Sequence, residues 1–193
     1  MKSIKIIGCF LFLLMTGTLV QAQSKTYKLV SGSTMKISGG SNAHDWSEEV
    51  KTMSGSASID TDRKTKFTLA QLTFKADVKS IKSTKGSVMD DKTHEALNAD
   101  KYPYITFDLV EVKSVSVVAG GFWITTQGNL SMNGVKKLID LDVKAIMNSN
   151  GTISFEGNKS FNMSLYGIDP PTAMMGTMKV KDPVRIDFKV TYQ

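Results

Sequence analysis

Two histidines are the residues of this sequence best suited to acid–base or metal chemistry, and each is followed by an acidic residue. The pairs are His44-Asp45 and His94-Glu95. Neither pair has the ligand spacing of a zinc site, and adjacent residues of a strand point to opposite faces of a sheet. The sequence also lacks the motifs of a nucleophile elbow, a phosphate-binding loop or a dinucleotide site. We therefore predict no catalytic and no metal-ligating residue, and keep a small metal-dependent hydrolase centred on His44 and Asp45 as an alternative.

Thiol chemistry is not expected, because the one cysteine lies in a leader-like N-terminus. Cys9 belongs to a stretch with two lysines, an apolar run over residues 6–20 and a small-residue end at Ala22. This pattern is typical of a cleavable signal peptide. We predict cleavage after Ala22 and a periplasmic or secreted mature protein. A lipoprotein site at Cys9 is the weaker interpretation, since a lipid-modified cysteine would follow the apolar run and Cys9 stands near its start.

Composition limits the remaining classes of function. The apolar run is shorter than a membrane span and no basic stop-transfer flank follows it, so we expect no stable membrane insertion. No repeat or linker divides residues 23–193, which predicts one domain whose hydrophobic core must provide the stability that disulfides cannot. The formal net charge of +6 falls by two with the leader and is too small to indicate nucleic-acid binding.

Strand signals follow one another at short intervals through residues 23–193, with turn residues between them. In the last of them, Val184 to Tyr192, apolar residues alternate with polar ones without interruption, and Asn133-Gly134 is the strongest hairpin signal. We predict an all-β fold, a single antiparallel up-and-down barrel of eight strands, because closure would remove the exposed edges of so large a sheet. A two-sheet sandwich is the alternative.

One stretch, residues 88–107, departs from the two-residue period. Asp90 and Asp91 place negative charge at the positive end of a helix dipole, and the residues after them favour helix. Pro103 then excludes helical backbone at Tyr102. The pattern predicts a short helix at about Asp91 to Ala99 that closes or braces one end of the barrel.

The predicted inward positions mix bulky apolar residues with small ones. The small residues are Ala57, Ala70, Gly128 and Ala145. Such a mixture can pack solid, or it can leave an elongated apolar void in which each buried CH₂ of a ligand contributes about 0.8 kcal/mol. A methionine-rich loop after residue 166 offers adaptable apolar contacts. The sequence alone therefore leaves both a ligand-binding interior and a filled core open.

Several of these segments resemble the YceI-like family of secreted lipid-binding proteins. Residues 128–137, GNLSMNGVKK, are similar to the family pattern Gly-x-Leu-Thr-x-x-Gly-Val-Thr-Lys, and Ile81 and the terminal Val-x-Ile-x-Phe-x-Val strand also fit. The family's approach to its central strand is matched by Asp90, Leu97, Tyr102, Pro103, Ile105 and Phe107. The resemblance extends over residues 26–192.

The resemblance implies a lipocalin-like antiparallel barrel that encloses a polyisoprenoid or similar amphiphile in a long tunnel. On that basis we expect a non-catalytic periplasmic carrier of an isoprenoid-type lipid, such as a quinone or polyprenyl derivative, with no other cofactor and with a homodimer left open. The expected ligand-binding residues are Trp46, Ile105, Phe107, Leu109, Phe122, Ile124, Leu130, Met132, Met174, Met175, Ile186 and Phe188. A solid-core envelope protein with a protein partner and no lipid is the alternative.

Overall fold

Strands with alternating polarity make up most of the chain. The computed structural model describes residues 24–84, 86–173 and 175–193, and these contain twelve strands and one α-helix. The strands are β1 Lys25–Lys28, β2 Thr34–Ser41, β3 Asp45–Val50, β4 Met53–Thr61, β5 Phe67–Asp77, β6 Ile81–Ser83, β7 Tyr104–Val118, β8 Gly121–Met132, β9 Val135–Met147, β10 Ile153–Asn162, β11 Thr172–Ala173 and β12 Met178–Tyr192. The helix, α1, spans Ser87–Ala96, and 3₁₀ turns span Val78–Ser80 and Met163–Tyr166.

Eleven of the strands in the described residues follow one antiparallel path, in the order β1-β4-β5-β7-β8-β9-β10-β12-β2-β3-β6, and β11 pairs with β12 beside it. The sheet curls enough for the chain just after β1, the first strand of this path, to reach the end of β12. Leu29, just after β1, bridges to Tyr192, and Lys28 and Gln193 exchange two backbone hydrogen bonds of 2.8 Å. The predicted all-β antiparallel class is confirmed, and the single path contradicts the two-sheet sandwich.

The predicted eight-stranded closed barrel is wrong. The described residues contain twelve strands, and the 3₁₀ turn at Val78–Ser80 separates β5 from β6 where the apolar pattern of the sequence continues. In the part of the chain that is described, β7 pairs with β5 only over residues 104–108 but with β8 along its length. The sheet therefore opens between β5 and the far half of β7, and the result is an eleven-stranded curled half-barrel.

The predicted helix is present, but it begins and ends earlier than expected. Gly86 precedes it with a φ of +99°, and Asn98, just past its end, has a φ of +48°. The carboxylate of Asp90 does not cap a helix that starts at Asp91; it accepts the backbone N–H of Ser83 at 2.7 Å. No helix in the described residues is long and apolar enough to span a membrane.

The interior contains two clusters of buried apolar side chains. The first, here called the closed core, includes Phe122, Ile124, Ala145, Ile153 and Tyr192, which all have 0% exposure. Its aromatic rings pack with centroids 5.1–6.2 Å apart, in the range of favourable ring pairs. The second, the helix-side core, includes Leu97 and Ala99, which directly follow α1, and residues of β6, β7 and β12. Partly buried side chains such as Leu72, Phe74 and Leu141 pack against both clusters and lie between them.

Candidate ligand-binding cavity

An apolar cavity of about 110 Å³, here called the inner cavity, lies where the two clusters of buried side chains meet. β5, β7, β9 and β12 supply much of its wall, because every second side chain of a strand points to the same face. Representative wall residues are Leu72 of β5, Phe107 of β7, Leu141 of β9 and Phe188 of β12.

A second cavity of about 80 Å³, here called the helix-side cavity, lies under α1. Met89 and Ala96 of the helix form one side, and Trp46 and Pro171 contribute to the rest of the wall. The helix thus covers one end of the interior, as its position in the sequence predicted.

The two cavities adjoin. Three side chains, Ile105, Phe161 and Ile186, line both of them. Ile105 and Ile186 face the interior and are only half-buried, in contrast to the fully buried side chains of the closed core. The two spaces therefore form one apolar interior that is narrowed at these three residues, here called the junction.

Three glycines make room for the aromatic rings that line this interior. A Cβ atom at Gly128 would lie 2.3 Å from Cζ of Phe107, one at Gly157 would lie 2.8 Å from Cζ of Phe188, and one at Gly39 would lie 2.6 Å from Trp46. Gly157 pairs directly with Phe188, and Gly39 with Trp46, across their strands. Each ring occupies the space that a side chain on the neighbouring strand would fill, so the interior stays hollow.

Eight of the twelve predicted ligand-binding residues lie in a cavity wall. Those in the inner cavity are Ile105, Phe107, Leu109, Leu130, Ile186 and Phe188, and the helix-side cavity adds Trp46 and Met132.

Three of the other four, Phe122, Ile124 and Met175, lie elsewhere. Phe122 and Ile124 point inwards as predicted, but both belong to the closed core and neither lines a cavity. Met175 is fully exposed on a turn. Met174 lies outside the described residues.

Glu48 places a carboxyl group in the otherwise apolar wall of the helix-side cavity. Only 3% of this residue is exposed, and Thr93 of α1 donates its hydroxyl to the two carboxyl oxygens, at 2.8 and 3.0 Å. Burial raises the pKa of Glu48, the Thr93 hydrogen bond partly opposes this, and the negative charge of Asp90 adds to the increase. The pKa of Asp90 is itself lowered, first by the Ser83 N–H and then by Lys82, whose Nζ lies 3.0 Å away.

Polar groups in the wall of the inner cavity are mostly engaged with the backbone. Thr126 donates its hydroxyl to the carbonyl of Leu141 at 2.8 Å, and Lys159 donates to the carbonyl of Asp140 at 2.7 Å. The hydroxyl of Tyr192 is buried and has no hydrogen-bond partner among the described residues, and burial raises its pKa. The inner cavity is therefore suited to an apolar chain.

The histidines stand apart from a common site. His44 and Asp45 are exposed at the start of β3, and Nε2 of His94 lies 3.1 Å from the carbonyl oxygen of Ile81. Within the described ranges, no three His, Cys, Asp or Glu side chains are grouped closely enough to hold a metal ion. The geometry gives the hydrolase alternative no supporting cluster.

Sequence reasoning missed several wall residues, among them Ile139, Leu141, Phe161 and Glu48. Ile139 and Leu141 alternate with Asp140 and Asp142 on the strand that follows the Asn133-Gly134 turn. The inward direction of the two apolar residues could therefore be predicted from the sequence. Glu48 also carried a signal, because it stands between Trp46 and Val50 on the inward face of β3.

Comparison with known proteins assigns the fold independently. A family model described as YceI-like domain matches residues 20–192, which confirms the resemblance read from the sequence. A search of curated protein sequences finds no match.

Solved structures of the same architecture share low sequence identity with this chain. BcnA of Burkholderia cenocepacia is 18% identical with a TM-score of 0.64, and the match covers 82% of this chain and 95% of that one. A domain of Saccharophagus degradans described as polyisoprenoid-binding is 14% identical with a TM-score of 0.63, covering 86% and 97%. A YceI protein of Campylobacter jejuni is 22% identical with a TM-score of 0.55, covering 75% and 82%.

Proposed function

Since this chain belongs to the family of YceI-like domains, we propose that it is a non-catalytic periplasmic or secreted binding protein for a long-chain isoprenoid-type lipid, such as a quinone or polyprenyl derivative. The observation that carries the proposal is the pair of adjoining apolar cavities with a common wall at the junction. The description of the Saccharophagus degradans relative supports the ligand class, and the leader-like residues 1–22 support the location.

The sizes of the cavities indicate how a long chain would enter. At about 110 and 80 Å³, each is smaller than an engineered apolar cavity of about 150 Å³ that binds benzene. A long isoprenoid therefore requires side chains at the junction to move and the two cavities to merge. The half-buried Ile105 and Ile186 are suited to this, because less packing holds them in place.

Burial alone can supply the affinity. Each CH₂-sized group of the ligand that leaves water contributes about 0.8 kcal/mol. The half-buried wall residues also lose contact with water when the ligand covers their apolar surface. No reacting group is needed, which is consistent with a wall in which Glu48 is the only carboxyl group among the described residues.

The test is gentle purification from the native envelope, followed by organic extraction and mass spectrometry. We expect an isoprenoid-type lipid to co-purify with the wild-type protein. The variant Ile186→Trp fills the junction and should lose most of the lipid, whereas Leu138→Trp, on the exposed outer face of β9, should retain it.

Extraction of no lipid from wild-type protein, together with no binding of an added isoprenoid, would overturn the proposal in favour of an envelope protein with a protein partner. Equal retention by both variants would place the lipid outside the cavities. A homodimer stays a prediction, to be checked by light scattering of the lipid-bound protein.

A further inference from the structure

Glu48 and Glu49 are neighbours on β3 with opposite environments. Glu49 points outwards, is exposed and forms an ion pair with Lys51. Glu48 points inwards between Trp46 and Val50 and lines the helix-side cavity. A buried carboxyl group is costly unless its oxygens are satisfied, so its presence in an apolar wall requires an explanation.

Among the described residues, the charged groups around Glu48 do not neutralise it. On β6, Lys82 is paired with Asp90; on α1, Nζ of Lys92 lies 3.2 Å from Glu95. Asp90 itself acts on Glu48 as a like charge. Nε2 of His94, also on α1, is within hydrogen-bond distance of the Ile81 carbonyl.

Thr93 fills only part of the hydrogen-bonding capacity of Glu48. Among the described residues, a single hydroxyl donor faces two carboxyl oxygens, which together offer about four acceptor positions when ionised. Burial raises the pKa of Glu48, and a protonated carboxyl group can donate a hydrogen bond to a carbonyl oxygen. A phosphate group would instead be repelled by Glu48 in its ionised form, and Lys92, the one cationic residue among the described residues of this wall, is paired with Glu95.

We propose that Glu48 and Thr93 form a subsite for an uncharged head group that carries a hydroxyl or carbonyl oxygen. The inference rests on the proposed lipid-binding function and adds that the lipid is not phosphorylated. A ligand hydroxyl donates to a carboxylate oxygen of Glu48, or a ligand carbonyl accepts from the protonated carboxyl group, while the isoprenoid chain extends through the junction into the inner cavity.

The test uses the mature protein freed of lipid, with three probes of similar branched chain: geranylgeraniol, geranylgeranyl phosphate and phytane, a hydrocarbon without a head group. Affinities are measured by displacement of a neutral fluorescent naphthylamine. We expect the alcohol to bind about five- to tenfold more tightly than phytane, as one or two hydrogen bonds would give, and more tightly than the phosphate.

Variants of the two neighbouring glutamates separate head-group recognition from structure. Glu48→Leu should remove the preference for the alcohol over phytane, Glu48→Gln should keep much of it through its amide, and Glu49→Leu should leave it unchanged. Thr93→Val preserves the shape of the side chain and should reduce the preference for the alcohol over phytane. It replaces Glu48→Leu as the test if that variant does not fold.

Each outcome has a distinct meaning. If wild-type protein binds none of the three probes, the proposed lipid-binding function itself fails. If it binds all three equally, prefers the phosphate, or keeps its preference for the alcohol in the Glu48→Leu and Thr93→Val variants, the subsite is wrong and lipid binding stands.

Discussion

The closed core and the cavity region are built from the same strands, yet one is solid and the other hollow. On β12, Val190 and Tyr192 belong to the closed core and are buried where they border the inner cavity, whereas Ile186 and Phe188, on the same face of that strand, are only half-buried in its wall. On β8, Ile124 is fully buried, and Gly128, four residues on, provides no side chain at all. Alternation thus determines which side chains point inwards. Whether these side chains contact one another and fill the interior depends on the residues on the opposite strands.

The largest expected effect separates the two regions by stability. Ile124→Ala should lower the free energy of unfolding by about 3 kcal/mol, because a fully buried isoleucine leaves a cavity in packed surroundings. Ile186→Ala should cost no more than about 1 kcal/mol, since its side chain already borders empty space. Urea denaturation of lipid-free protein measures both, and equal losses would contradict the distinction.

A methyl group added inside the hollow region should be the next largest change. In Gly128→Ala the new Cβ would overlap the Phe107 ring and approach the Asp108 carbonyl oxygen to 2.8 Å, so we expect a cost of about 1–3 kcal/mol and reduced lipid capacity. Gly40→Ala is the control, because its nearest atom, 3.3 Å away, belongs to the flexible side chain of Lys181. Thermal unfolding and lipid retention are the measurements. A neutral Gly128→Ala would show that the ring moves freely.

The polar part of the hollow region should respond to pH. The folded-state pKa of Glu48 is raised above its ordinary value of 4.5, so its contribution to stability is fully present below that value and is lost as pH rises through the folded-state pKa. The difference in free energy of unfolding between Glu48→Gln and wild type should therefore increase from acidic to neutral pH, in favour of the variant. Denaturation at a series of pH values tests this, and a difference independent of pH would show that Glu48 titrates normally.

The outer face should give the smallest effect and sets the baseline. Leu138 is 54% exposed on β9, and Leu138→Ala should change the free energy of unfolding by less than about 0.5 kcal/mol, without loss of lipid. The same denaturation and extraction measurements apply. A larger loss would indicate that this face is covered in solution.

The strand class, the helix and most of the wall could be predicted from the sequence because each depends on local pattern. The Asn133-Gly134 hairpin was predicted correctly, and both residues have the positive φ that its turn requires. Whether side chains fill the interior could not be predicted, because it depends on residues far apart in the chain whether Phe122 or Phe107 borders a cavity.

β5 shows why local pattern also misleads. The alternation of the sequence predicted that Ala70 points inwards. The pairing with β4 shifts register at Ala70, so Leu69 and Leu72 both point inwards and Ala70 is exposed. A bulge changes the phase of a strand without leaving a clear mark in its sequence. The prediction of eight strands was wrong for a related reason: the short break between β5 and β6 does not interrupt the apolar pattern of the sequence.

The glycines behind the aromatic rings have a consequence for ligand size. Gly39 controls the position of Trp46 under the helix, while Gly128 and Gly157 control Phe107 and Phe188 farther inside. These glycines lie on different strands. A single Gly→Ala substitution can therefore narrow the interior either under the helix or farther inside, and the apolar residues that line it stay the same. Sequence changes at these glycines can thus select ligands of larger or smaller cross-section, although the glycines themselves do not line the cavities.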